Sequence, residues 1–150
     1  MRVVIQRVNG SFVSISGEVK SNIGKGLLVL VGFENEDTEE DLQWMSKKIS
    51  ALRIFDDQEG VMNLSLKEVS GELLIISQFT LHAKTKKGNR PSYIKAAKPD
   101  ISIPLYNKFV KQLEEDSNTE VKTGEFGADM QVSLINDGPV TITMDSKNKE

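Results

Sequence analysis

Gln131-Val132-Ser133-Leu134-Ile135-Asn136-Asp137-Gly138-Pro139-Val140-Thr141-Ile142-Thr143 is the stretch whose reading decides the fold. Its flanks, Val-Ser-Leu-Ile and Val-Thr-Ile-Thr, are β-branched and alternating, so each reads as a strand with one buried and one more polar face. Gly138-Pro139 interrupts them. Proline has no ladder N–H and glycine weakens a strand, so the pair marks either a turn or a special backbone rather than the middle of an ordinary central strand. An X–Pro linkage is also the one place where a cis peptide is readily adopted.

Outside this stretch the chain repeats the same grammar. Arg2 to Val8 alternates as a strand, Asn9-Gly10 predicts a hairpin turn, and Ser11 to Ile15 alternates back. Ser16-Gly17-Glu18 turns again before a third short strand, Val19 to Ile23, and Gly24-Lys25-Gly26 leads into Leu27 to Val31, a continuous apolar run typical of a strand buried on both faces. Thr38 to Asp41 resembles a capping box, and Leu42, Met45, Ile49 and Leu52 recur at helical spacing, predicting a helix over 38–53 with an acidic first turn. A second helix is expected from about Ser102, as N-cap, to Glu115, with Pro104 in its first turn. Between the two lies Leu73 to Ile76, a buried strand that runs into Ser77-Gln78-Phe79-Thr80-Leu81.

The totals restrict the function classes. A chain of 150 residues with 38% hydrophobic and 27% charged residues is one ordinary globular domain. We take residues 1–145 as that domain and 146–150, which lack any apolar residue, as a tail expected to fray. Absence of cysteine removes disulfides, thiol nucleophiles and cysteine-held metals, and the single histidine, His82, cannot build a multi-histidine zinc site. No run reaches the roughly 18 apolar residues of a membrane span. The expectation is a cytoplasmic protein with no membrane or DNA partner, no metal and no cofactor.

The net charge of −3 opposes binding of nucleic acid through overall charge, but the charges are segregated. Glu34 to Asp41 holds only acidic charges, sufficiently explained as a solvated helix start. Lys84 to Lys98 holds only basic ones, including Lys84, Lys86, Lys87 and Arg90, on a segment punctuated by Gly88 and Pro91. That loop is either simply solvated or a local phosphate contact. The Ser-Gln-Phe-Thr junction has two readings as well: binding groups at a strand end, or a strand with a polar outer face. His82 follows Thr80 by two residues, which on a strand puts both on one face, yet no orienting carboxylate accompanies them. These residues alone predict an α+β domain and no reaction.

Taken together, Ser77-Gln78-Phe79-Thr80-Leu81 and Asn136-Asp137-Gly138-Pro139-Val140-Thr141 resemble the paired signatures of the D-aminoacyl-tRNA deacylases, also called D-tyrosyl-tRNA deacylases. Ile5-Gln6-Arg7-Val8, Arg53-Ile54-Phe55, Met62-Asn63-Leu64, Arg90-Pro91-Ser92 and Ala128 to Val132 fit in order and spacing, so the resemblance spans nearly the whole chain. It implies an α+β fold of curved, mostly antiparallel β-sheets forming a barrel-like layer, with two main helices packed on one side. It also implies a homodimer that hydrolyses the ester between a D-amino acid, or glycine, and the 3′ end of tRNA. In that family a Gly-cisPro reaches into the partner's pocket and leaves no room for an L side chain, and an arginine matching Arg7 steadies its carbonyls. The implied catalytic set is Thr80, Ser77, Gln78 and Phe79, and the implied substrate-binding set is Gly138, Pro139, Asn136, Arg7 and Met130. Lys84, Lys86, Lys87 and Arg90 become acceptor-stem contacts. Threonine needs a base to act as a nucleophile, so the favoured mechanism has the ribose 2′-hydroxyl assisting while Thr80 orients groups. A non-catalytic module that binds an RNA end is the competing reading from another class.

Overall fold

The computed structural model describes all of residues 1–150. Its frame is β1 (Arg2–Ile15), a long strand with Val3, Ile5, Val8 and Val13 inside. One edge of β1 pairs antiparallel first with β3 (Gly26–Gly32) and then with β2 (Glu18–Ile23). The other edge pairs with β8 (Met130–Asp145), from Arg2↔Asp145 to Ile15↔Met130.

The hairpin expected at Asn9-Gly10 does not form. The chain runs straight through it, and the register against β8 shifts on either side of Val8. Strand partners flank both halves of β1, and their ladder overrides the local turn preference. Irregularities there bend β1 from one neighbour to the next. The turn that does form is Ser16-Gly17, with φ of 51° and 84°, the pair of positive values that a two-residue hairpin turn requires.

β3 is buried on both faces, as its apolar run predicts, because β6 (Glu72–Ser77) lies parallel beside it and β7 (Val121–Thr123) parallel beyond. The order β2-β1-β3-β6-β7 curls until β7 returns to β2, where the Ser21 hydroxyl donates to the Thr123 carbonyl at 2.6 Å and Lys122 Nζ to the Asn22 carbonyl at 2.9 Å. The result is a nearly closed, barrel-like mixed sheet, antiparallel in most of its pairings, and the α+β expectation holds.

Two helices cover one side. In α1 (Glu39–Ala51), Leu42, Met45 and Ile49 turn inward, and Thr38 with Asp41 forms the capping box, its N–H donating to Asp41 Oδ2 at 2.8 Å. Against α1 packs α2 (Pro99–Ser117), whose Tyr106, Phe109 and Leu113 meet the same core as Leu27, Val29 and Ile75. This helix starts a turn earlier than expected. Pro99 takes the first helical position, where its missing N–H is not needed, and Ser102 is internal, donating its hydroxyl to the Lys98 carbonyl at 3.0 Å instead of capping. Pro104 is therefore inside the helix, beyond its first turn. A small ribbon, β4 (Phe55–Asp56) with β5 (Met62–Leu64), stands beside the main sheet.

The C-terminal residues do not fray. Ser146 is buried, its hydroxyl accepting from the Met1 amine at 2.8 Å and its N–H donating to the Met1 carbonyl at 2.9 Å. Lys147 Nζ reaches Asp41 at 2.6 Å and the Glu36 carbonyl at 2.9 Å. Polar residues dock here because the acidic turn before α1 offers them partners, so Asp37 and Asp41 are buried rather than solvated. Burial pushes the Asp41 carboxyl up, but hydrogen bonds from Lys147, the Thr38 N–H and Ser146 outweigh it and hold the group well below the usual carboxylate range. No helix is long and apolar enough to cross a membrane.

Candidate active site

β3 and β6 run parallel and end together, and there the chain leaves the sheet. The Gln78 N–H still donates to the Val31 carbonyl at 2.7 Å, after which Phe79–His82 winds into a short 3-10 turn. Gly32 lets this turn sit directly on β3: a Cβ at that position would lie 2.7 Å from the Gln78 carbonyl oxygen and 3.1 Å from His82 Cδ2.

A cleft of about 600 Å³ opens beside the turn. Ile76, Ser77, Gln78 and Phe79 form its floor. One wall is Tyr93 with Ala96 to Pro99 and Ser102, and the other is Phe126 to Met130 with Val132. Phe79 is 57% exposed at the mouth, edge-on to Tyr93 at 5.1 Å between centroids. Apolar walls around a few polar groups are the ordinary make-up of a small-ligand site. Gly124 admits Met130 to its wall, since a Cβ there would meet Met130 Sδ at 2.5 Å.

Ser77, Gln78, Phe79 and Met130, expected from sequence, all line the cleft. Thr80 follows in the turn without lining it, and its hydroxyl oxygen accepts a hydrogen bond from the Gln78 side-chain amide. In the turn itself, Leu81 donates to the Gln78 carbonyl at 3.3 Å and Ala83 to the Thr80 carbonyl at 3.0 Å. The N–H groups of Phe79 and Thr80 precede the first of these bonds, and the turn has no use for them. His82 does not share a strand face with Thr80, because the segment is helical. Its ring is buried and both nitrogens lack a partner.

The second group of expected residues gathers elsewhere. Asn136, Gly138 and Pro139 stand at the middle of β8 with Arg7 opposite them on β1, and none lines the cleft. Gly138-Pro139 is neither a simple turn nor regular strand. Gln6 pairs with Thr141 and Val8 with Asn136, so the residues 137–140 together oppose Arg7 alone. The Gly138-Pro139 peptide is cis, Gly138 has φ of 128°, and both residues are exposed. Asn136 staples the bulge, its Oδ1 accepting from the Val140 N–H at 2.8 Å and its Nδ2 donating to Thr141 Oγ1 at 2.9 Å. Arg7, buried in β1, donates from Nε to the Asp137 carbonyl at 3.0 Å and from Nη1 to the Ile54 carbonyl at 2.7 Å and Asp56 Oδ1 at 3.1 Å.

Lys84, Lys86, Lys87 and Arg90 are exposed on the loop that leaves the turn and returns to Tyr93, pinched by mutual backbone bonds between Lys84 and Ser92 at 2.8 and 3.1 Å. The positive charge thus stands beside the cleft mouth. Sequence reasoning missed Tyr93, Phe126 and Asp129 as cleft residues. The available signal was an aromatic residue placed between glycines in Gly124 to Gly127.

The sequence pattern of the family described as D-Tyr-tRNA(Tyr) deacylase matches residues 4–145. The chain belongs to this family. Being a deacylase, it is a hydrolase. It is 64% identical over 150 residues to the D-aminoacyl-tRNA deacylase of Bacteroides thetaiotaomicron and 59% identical over 150 residues to that of Flavobacterium johnsoniae, each match covering 100% of both chains. Among solved structures, the c-Myc DNA Unwinding Element Binding Protein superposes with a TM-score of 0.90 at 40% identity, over 97% of this chain and 98% of that one. A probable eukaryotic D-amino acid tRNA deacylase gives 0.82 at 19% identity over 95% of this chain and 97% of that one, a likeness of fold.

Proposed function

We propose that this deacylase hydrolyses the ester bond of D-aminoacyl-tRNA, and of glycyl-tRNA mischarged on tRNA-Ala, releasing the free amino acid and tRNA in the cytoplasm. The observation that carries this reading is the separation of the two signature groups. A cleft bearing Ser77, Gln78 and Phe79, and a stapled bulge bearing Gly138-Pro139, are both built, yet one chain keeps them apart. A homodimer in which the bulge of one copy faces the cleft of the other unites them. The exposed Gly138 and Pro139 then stand where an L side chain would project, while hydrogen in that position, as in a D-residue or glycine, is admitted.

The chemistry follows from the turn. Water adds to the ester carbonyl, a C–O bond forms, and the bond to the ribose 3′-oxygen breaks as that oxygen takes a proton. The unused N–H groups of Phe79 and Thr80 face the oxyanion. Thr80 is not the nucleophile in this scheme, because its oxygen already accepts from Gln78 and no base receives its proton. The substrate's 2′-hydroxyl assists the proton transfer. Lys84, Lys86, Lys87 and Arg90 hold acceptor-end phosphates beside the mouth.

The test is release of amino acid from matched D- and L-tyrosyl-tRNA by purified protein. Fast release of D with L intact is expected. Protection of both esters from spontaneous hydrolysis would instead make the protein an RNA-end binder, and equal release of both would remove Gly138-Pro139 as the filter.

A further inference from the structure

Arg7 is tied to three elements at once. Its own strand is β1, its Nε holds the Asp137 carbonyl of the β8 bulge at 3.0 Å, and its Nη1 holds the start of β4 through the Ile54 carbonyl at 2.7 Å and Asp56 Oδ1 at 3.1 Å. Nη2 makes no hydrogen bond within the chain and lies beside Gly138, 3.1 Å from where a Cβ on that residue would stand. The guanidinium is planar and rigid, so fixing Nη1 fixes where Nε and Nη2 point. Two carboxylates face it. Asp137, 3.3 Å from Nε, belongs to the bulge and moves with it. Asp56 belongs to the β4 ribbon and anchors the guanidinium to the body of the protein.

We propose that Asp56 is a positioning residue for stereochemical selection, holding Arg7 so that the Gly138-Pro139 bulge keeps the shape that rejects an L-amino acid. This rests on the function proposed above. Asp56 touches neither the cleft nor the bulge, and acts only through Arg7. Its side chain is 48% exposed, so the pair adds little to folding and its purpose is orientation.

Asp56→Ala, Asp56→Asn and Asp56→Glu are compared with the unaltered protein on D- and L-tyrosyl-tRNA, with thermal melting and hydrogen exchange of the Arg7 Nε–H followed by NMR. The expected result is a fall of about tenfold in the D-to-L turnover ratio for Asp56→Ala, through gained L-ester hydrolysis, since one charged hydrogen bond is removed. Faster Nε–H exchange with little change in melting should accompany it. Asp56→Glu, which restores the charge, should recover most of the ratio. An unchanged ratio, or equal loss of both activities together with lowered melting, overturns the proposal. If the unaltered protein releases neither ester, the functional reading fails, and unchanged Nε–H exchange in Asp56→Ala would separately overturn the anchoring of Arg7.

Discussion

A methyl group on Gly32 would press against the Gln78 carbonyl and the His82 ring, the two ends of the short turn that leaves the cleft floor. Gly32→Ala should therefore displace the turn. We expect turnover to fall by about 10²-fold, as for a misplaced reacting group, with a stability loss of about 1–3 kcal/mol from overpacking. Kinetics and melting of the same preparation check this, and a fully active variant would show that the turn does not set the chemistry. Thr80→Ala should slow D-ester hydrolysis by less than about tenfold, whereas removing a true nucleophile costs about 10⁴-fold or more. Single-turnover rates decide between them. At this scale Ser77 to Phe79 were singled out through the family resemblance, because on their own they read equally as a strand with a polar outer face. Tyr93 and Phe126 were not, because loops bring them to the cleft and their paths depend on neighbours distant in sequence.

At the scale of elements, the basic loop and the C-terminal tail carry separate expectations. Replacing Lys86 and Lys87 by Glu should weaken tRNA binding and flatten the slope of log affinity against log salt by about one unit for each phosphate that is no longer neutralised. Affinities at three salt concentrations are sufficient. Where the tail docks on α1, Asp41 has a folded-state pKa depressed below its ordinary 3.8. Its contribution is therefore present above that value and is lost as pH falls below it toward the lower folded value. Lys147→Ala removes one cause of the depression and should make the acid loss shallower, by under about 1 kcal/mol because Lys147 is 37% exposed. Urea midpoints from pH 6 down to about 3 measure it. Helix α1 was legible almost to its ends, since its capping box and apolar spacing agree with its packing. The Asn9-Gly10 turn, the start of α2 and the order of the tail were not. The first was decided by the β8 ladder and the third by the acidic turn, neither of which the local pattern carries, whereas the second was marked locally by Pro99, which suits the first helical position better than Ser102 suits the cap.

For the whole molecule, the proposed pairing of one copy's bulge with the other copy's cleft makes a prediction that no single subunit can satisfy alone. Arg7→Ala should spoil the bulge and Gln78→Ala the cleft. Refolded together, the two variants form mixed dimers that hold one intact pair, so selective D-ester turnover should reappear at up to about half the unaltered level per mixed dimer, following simple mass action of the subunits. Sedimentation of each variant checks that assembly survives. No recovery on mixing would mean that each subunit works with its own bulge. The α+β class was legible from the succession of short strands and two amphipathic helices and the barrel-like layer only through the family resemblance, but the separation of the two signatures within one chain was not legible, because sequence order carries no distance.

The pairing of β1 with β8 has a consequence in time as well as in space. The strand nearest the start of the chain takes its longest partner from the far end, Arg2 opposite Asp145 and Ile15 opposite Met130. Such pairings have close to the greatest sequence separation the chain allows, and folding rates fall as mean separation rises. During synthesis β1 can find β2 and β3 early, but one of its edges stays open until β8 has emerged, exposing unpaired N–H and C=O groups that could recruit another nascent chain. Closure of the sheet is therefore a late event, and the bulge that bears Gly138-Pro139 is shaped only in that last step.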